Sequence, residues 1–227
     1  MSRGLFVTAS GTEIGKTLIA CALVHQVRGR GQSVNALKPV ATGFDAGLAD
    51  SDTAHLLTAA GQEITDANIA ACTPWRFGPA IAPDMAAMDA GTALDFDAIT
   101  AHCRDGLATK ADLTVIEGVG GTMVPLGGTK TVRDLIAALD LPAVVVSGHY
   151  LGAISHALTA VESLLARNIA VAGIVISESA QSPVSAQETA DAIARLAPGT
   201  PILVVPRING PQPWERVPDL GRLLGES

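Results

Sequence analysis

Short apolar runs and amphipathic stretches alternate along this chain. Leu5-Phe6-Val7-Thr8 is an apolar run of strand length, and the residues from Lys16 to about Arg28 read as a helix. Gly29 and Gly31 close that helix, and Ser33-Val34-Asn35-Ala36-Leu37-Lys38 is the next strand, stopped by Pro39. From Thr42 to Pro83 the pattern is irregular, with a short helix starting near Asp52 and a proline-rich loop from about Pro74 to Pro83. Phe96 to Leu107 reads as a helix, and Leu113-Thr114-Val115-Ile116 as a strand that runs into Glu117-Gly118-Val119-Gly120-Gly121. Val132 to Leu139 is a helix and Pro142 to Val146 a strand. In the helix that follows, Ile154, Leu158, Val161, Leu164 and Leu165 are expected to share one face. Val171–Ile176 and Ile202–Val205 are two further strands, with the helix Ala186–Leu196 between them. The tail, with Gly210-Pro211-Gln212-Pro213 and a short helix near Asp219, is weakly patterned.

Strand and helix taking turns in this way imply right-handed crossovers and a mainly parallel sheet covered by helices on both faces. No repeat or linker is visible, so one α/β domain over residues 1–227 is expected. Composition agrees. The residues are 48% hydrophobic but only 3% aromatic, so the core must be built from Ala, Val, Ile and Leu, as buried parallel strands require. In such sheets ligands bind beyond the carboxyl ends of the strands, and the polar segments described next all fall at that edge.

A formal net charge of −7 argues against nucleic-acid binding, which needs clustered Lys and Arg. No apolar run approaches the roughly 18 residues that cross a bilayer. The start, Met1-Ser2-Arg3-Gly4-Leu5, enters a strand at once without a leader-type cleavage site, so a cytoplasmic protein is expected. Cys21, Cys72 and Cys103 form no C-x-x-C pair and read as reduced, buried thiols.

Thr8-Ala9-Ser10-Gly11-Thr12-Glu13-Ile14-Gly15-Lys16-Thr17 lies between a strand and a helix, the context of a phosphate-binding loop. Backbone N–H groups at a helix start favour an anion there. Lys16 would neutralise β- and γ-phosphate charge, and Thr17 would ligate the Mg²⁺ that bridges them. Ser10 stands where the strict pattern has glycine. Asp52 and Glu117, each following a strand, would complete the metal site with Thr17. Asp50-Ser51-Asp52 also has the composition of a helix N-cap. Gly118, Gly120 and Gly121 leave room for backbone to approach a ligand. Lys38, at the end of the second strand and followed by Pro39, faces the same edge as Lys16.

With these residues in view the chain resembles the dethiobiotin synthetase family of P-loop NTPase fold. The blocks that carry the likeness are Thr12-Glu13-Ile14-Gly15-Lys16-Thr17, Lys38-Pro39-Val40-Ala41-Thr42-Gly43, Ser51-Asp52, Glu117-Gly118-Val119-Gly120-Gly121 and Leu151-Gly152-Ala153-Ile154-Ser155-His156. The resemblance runs from the first residues to about Pro206. It implies a homodimer acting on 7,8-diaminopelargonic acid, CO₂ and MgATP through an N-carbamate and a carbamic–phosphoric anhydride. On that reading Gly11 to Thr17, Ser177 and Pro206 hold ATP, and Thr17, Asp52 and Glu117 hold Mg²⁺. Lys16, Lys38 and Thr12 serve catalysis, while Lys38, Thr42, Gly118, Leu151, Gly152, Ile154 and Ser155 hold the substrate.

The chain departs from the family at named positions. Ala9 stands where glycine is usual, and Gly11 where Asp is frequent. Ser155 replaces an Asn that reaches the substrate carboxylate across the dimer, which shifts that task toward the backbone N–H groups of Leu151 to Ile154. Ser177 replaces an Asn that recognises adenine, and Asp84 stands where many members have His. His149 and His156 read as helix-end or interfacial residues. Three other readings compete. An amidotransferase-type synthetase would need a glutaminase domain, for which no residues are left over. A partitioning ATPase would carry a lysine where this chain has Gly11. A nucleotide-binding protein with altered substrate or a regulatory role would have no use for Lys38.

Overall fold

The computed structural model describes residues 3–44 and 51–225. The proposed capping role of Asp50, and Met1 and Ser2 ahead of the first strand, lie outside the described residues. Strand β1 (Arg3–Ala9) is buried from Leu5 to Ala9, and β5 (Leu113–Glu117) and β6 (Ala143–Ser147) are buried at every position. Such strands must be covered on both faces, which is why their sequences are apolar runs rather than alternations. With β2 (Val34–Leu37), β7 (Val171–Ser177) and β8 (Ile202–Val205) they form a six-stranded, wholly parallel sheet in the order β2-β5-β1-β6-β7-β8.

Alternate residues of each strand enter opposite cores. Leu5, Val7, Val115, Val144 and Val175 face the layer built from α1 (Lys16–Gly29) and α2 (Asp52–Ala59). Phe6, Ile116, Val145 and Ile174 face α5 (Phe96–Leu107), α6 (Val132–Leu139), α7 (Ala153–Leu165) and α8 (Ala186–Leu196). Ile136 in α6 and Leu164 in α7 are fully buried, each worth about 1.5–3 kcal/mol of transfer from water. Two 3-10 turns, Pro213–Arg216 and Gly221–Leu224, take the place of the single short helix expected near Asp219. Trp214 and Leu220 pin them against the α1 layer.

The irregular stretch contains more structure than its pattern predicts. Besides α2 it forms β3 (Val40–Thr42), α3 (Asp66–Cys72), β4 (Trp75–Phe77) and α4 (Pro83–Asp89). β3 and β4 are three residues each and pair with one another, outside the main sheet. Strands that short carry no readable period. Pro83, read as the end of a loop, is instead the first residue of α4, where a missing N–H costs nothing. In α7 the expected face also shifts. Val161 and Leu164 are buried together with Ala157 and Ala160, whereas Leu165 is 54% exposed. One step of 100° carries Leu165 past the edge of the buried stripe. Cys21, Cys72 and Cys103 are free and buried, and burial pushes each thiol above its ordinary pKa, Cys103 to about 12.

Candidate active site

Strand register brings the charged residues together. β2 and β5 are neighbours with Leu37 opposite Ile116, so the next residues, Lys38 and Glu117, emerge side by side at the carboxyl edge. On the other flank of β5, Val7 of β1 lies opposite Glu117, so the loop after β1 begins beside the same carboxylate. That loop leads into α1, whose second residue, Thr17, donates its hydroxyl to Glu117 Oε1 at 2.8 Å. Asp52 opens α2, and the side chain of Ser51 caps that helix by accepting from Ala54 N at 3.2 Å. Lys38 Nζ then donates to Asp52 Oδ2 at 2.5 Å and to Glu117 Oε1 at 2.6 Å.

Burial decides what these charges are for. Lys38 is 4% exposed and Glu117 0%, so they are no solvated surface pair. Burial on its own would lower the Lys38 pKa, but the facing carboxylates of Glu117 and Asp52 overcome it and raise the ammonium above its ordinary range. Burial works against ionisation of Asp52 as well, yet Lys38 and Thr17 hold its carboxyl below the usual value. Burial depresses the Lys16 ammonium, with Lys38 adding to the effect against the pull of Glu117 and Asp52.

The loop itself is held by backbone geometry. Gly15, which caps α1, has φ 92°, and a Cβ there would sit 2.7 Å from Ser177 Oγ, so only glycine fits. Glu13 also takes a left-handed φ of 58°. Ser10, the break in the strict glycine pattern, has no positive φ. Its hydroxyl donates to Ser147 Oγ at 3.0 Å and its N–H to the Val146 carbonyl at 2.9 Å, tying the loop to β6. Lys16 folds back over the loop and donates to the Gly11 carbonyl at 3.1 Å. Among the described residues no side chain caps α1, and its first turn holds no acidic residue, which leaves its positive end open to an anion.

Thr12, Glu13, Gly15, Lys16, Thr17, Lys38, Thr42, Asp52 and Glu117 line one cleft of about 740 Å³. Ile14, Ser177 and Pro206 line an adjoining groove of about 450 Å³, which shares Glu13 and Gly15 with the first. Leu151, Gly152, Ile154 and Ser155 lie apart, in a third cleft of about 670 Å³ joined to the groove through Tyr150. Gly118 lines none of the three. It is buried, donates its N–H to the Val7 carbonyl at 2.9 Å, and a Cβ there would meet the Phe6 ring at 2.9 Å. Its lack of a side chain serves packing beneath the cleft.

Sequence reasoning missed the far wall of the first cleft, formed by Gly43, Ala80, Ile81, Ala82 and Pro83. Its signal was thin: Gly43 closes the Lys38–Gly43 block, and Ala82-Pro83 precedes Asp84. Asp84 itself turns to its neighbour, accepting from Met85 N at 2.8 Å. Arg207 and Asn209 of the groove were also missed; Glu178 orients that segment by accepting the Arg207 N–H at 2.8 Å. The two histidines do not meet in a shared site. His149 Nδ1 accepts from Ser179 N at 2.9 Å and its carbonyl accepts from Ser182 Oγ, while His156 Nδ1 pairs with the Tyr150 hydroxyl at 3.0 Å.

The donor set suits Mg²⁺. A hydroxyl and two carboxylates offer only hard oxygens, and Glu117 Oε2, although buried, has no hydrogen-bond partner among the described residues.

Parallel sheet, loop and lysine pair together define a P-loop nucleotide-binding protein. Solved structures with this fold include the MinC:MinD cell division protein complex of Aquifex aeolicus, at 11% identity and a TM-score of 0.57 over 90% of this chain and 81% of that one. The signal recognition particle receptor FtsY of Elizabethkingia anophelis, in complex with GDP, matches at 12% identity and a TM-score of 0.51 over 98% of this chain. This chain spans 62% of the length of that receptor. A family model described as an AAA domain matches residues 3–212. The ATP-dependent dethiobiotin synthetase BioD of Acidiphilium cryptum is 46% identical over 86% of this chain and 89% of its own, and that of Methylobacterium nodulans 45% identical over 91% and 94%. The chain belongs to the ATP-dependent dethiobiotin synthetase family.

Proposed function

We propose that this chain is an ATP-dependent cyclo-ligase that carboxylates 7,8-diaminopelargonic acid with CO₂ and closes the ring to dethiobiotin, releasing ADP and phosphate. It acts as one domain of a cytoplasmic homodimer. The observation that carries this reading is the meeting of Lys16, Thr17, Lys38, Asp52 and Glu117 in one cleft. A plain nucleotide binder has no need of a second buried lysine beside the phosphate loop.

The chemistry explains the residues. One substrate amine adds to CO₂ and loses a proton to give a carbamate. A carbamate oxygen then attacks the γ-phosphorus as the bond to ADP breaks. The second amine attacks the carbonyl carbon of the resulting anhydride, and phosphate leaves with the C–O electrons. Negative charge gathers at the first two steps, so positioned cations supply the stabilisation. Lys16 and the N–H groups of the loop and α1 hold the phosphates. Thr17, Asp52 and Glu117 would hold Mg²⁺, which supplies charge neutralisation between phosphate oxygens when bound. Lys38 and Thr42 face the carbamate, and Thr12 lies at the loop beside the transferring phosphoryl group. Gly118 acts indirectly, by letting β5 close onto Phe6.

ATP would lie with its phosphates on the loop and its base in the groove beside Ser177 and Pro206. The substrate tail would reach the N–H groups of Leu151 to Ile154 and the Ser155 hydroxyl of the partner subunit's equivalent cleft. Leu151, 87% exposed, supports an interface at this end of α7. Among the described residues no helix is long and apolar enough to cross a membrane. The test is incubation with diaminopelargonate, bicarbonate and MgATP, with ADP and dethiobiotin measured together. ATP binding without diamine-dependent phosphate release would sink the proposal.

A further inference from the structure

We infer that Lys38 is a resident counter-ion on the metal-binding oxygens, and that its ammonium is released toward the substrate only when a divalent cation takes those oxygens. The inference deepens the reading above and rests on it for the identity of the released lysine's target.

Three observations carry it. Lys38 Nζ lies 2.5 Å from Asp52 Oδ2 and 2.6 Å from Glu117 Oε1, the two carboxylates that suit Mg²⁺. The Glu117 carboxylate is used unevenly: Oε1 accepts from both Lys38 and Thr17, while the buried Oε2 accepts from nothing among the described residues. That leaves a fully buried carboxylate with one oxygen able to take a further donor or a cation. The backbone of Lys38, finally, is fixed by its N–H to the Cys72 carbonyl at 3.0 Å and by Pro39, so the flexible four-carbon stem is what can move.

An ammonium and a divalent cation set against the same Asp52 Oδ2 and Glu117 Oε1 repel one another, most strongly at the buried Glu117. While Lys38 holds them, its charge is spent on two acids. Once it leaves, it becomes an uncompensated cation at the edge of the cleft, suited to an anion such as a carbamate. The arrangement makes the free ammonium conditional on the metal. A carbamate present before the metal would meet a lysine already paired.

The test uses the nucleotide-free protein and Mn²⁺ alone, read by electron paramagnetic resonance. Lys38→Met, which removes the competitor, is expected to bind Mn²⁺ about tenfold or more tightly than the wild type. Binding no tighter than wild type, including none in either protein, overturns the inference. Should Lys38→Met fail to fold, the wild type decides. The chain has four lysines, Lys16, Lys38, Lys110 and Lys130, so ¹³C labelling at lysine Cε gives a spectrum in which Lys38 is assigned by Lys38→Arg. Saturating Mg²⁺ should shift the Lys38 signal and leave Lys110 and Lys130 in place; an unmoved Lys38 signal overturns the inference. Neither measurement involves diamine or product. Its failure is therefore distinct from absence of dethiobiotin in the assay above.

Discussion

The cleft around Lys38 and the turn from Tyr150 to Ser155 are built in opposite ways. In the cleft the charges are internal: Glu117 is fully buried, Lys38 nearly so, and each is answered by a residue of the same chain. The turn is open. Leu151 is 87% exposed, Gly152 takes a φ of 97° to start α7, and that helix has no side-chain cap. A buried ion pair must be complete when the chain folds, because an uncompensated charge in that place costs several kcal/mol. An exposed leucine beside open helix N–H groups can wait for another surface. On the proposed function, phosphoryl chemistry would belong to one chain and tail recognition to an assembled dimer.

The comparison can be broken at either end. The largest effect is expected from Lys16→Ala, which should lower turnover by about 10³-fold or more and weaken ATP binding, as ADP release and nucleotide titration would show. Near-normal turnover would remove Lys16 from the phosphate site. Next is Lys38→Ala. It should lower kcat by about 10²-fold with a smaller change in ATP binding. It should also destabilise the fold by about 3 kcal/mol in urea unfolding, since Glu117 is left buried without its cation. Wild-type activity would reduce Lys38 to a structural charge.

Gly15→Ala follows, with the ATP KM raised about tenfold through backbone strain and the clash with Ser177. At the open end, Leu151→Asp should shift the protein toward monomer in light scattering and raise the diamine KM. ATP binding should hold, and a parallel loss of ATP affinity would show that the two regions are not separable. The smallest effect concerns pH. The Asp52 carboxyl is held below its ordinary 3.8 by Lys38 and Thr17, against the effect of burial. Its stabilisation is therefore present above that value and lost as pH falls through the lower native one. Asp52→Asn should flatten the acid limb of a Tm-against-pH curve; an unchanged limb would mean that other carboxylates dominate it.

The main sheet was legible because its strands are buried on both faces and therefore read as apolar runs between helices. β3, β4, α3 and α4 were not. Three-residue strands and seven-residue helices are too short to set a period, and their stability comes from packing on the main body. In the same way Pro83 looked like a loop residue, though at a first helical position it is a start signal. Leu165 was placed on the buried face of α7 because spacing ranks neighbouring residues poorly at the edge of a stripe.

By itself the sequence determined the order of the parts: a strand, a glycine-bearing loop, Lys16-Thr17 at a helix start, Lys38 and Glu117 at strand ends. These are local facts, set by chain connectivity and by which residues tolerate a turn or an open helix end. Tertiary structure alone decided that Lys38 lies between Asp52 and Glu117, that Ala80–Pro83 wall the cleft, and that Gly118 packs on Phe6. Each of those depends on sheet order and register, in which residues 37 and 116 become neighbours. No local pattern encodes such a pairing, because it is chosen by how two cores fill at once.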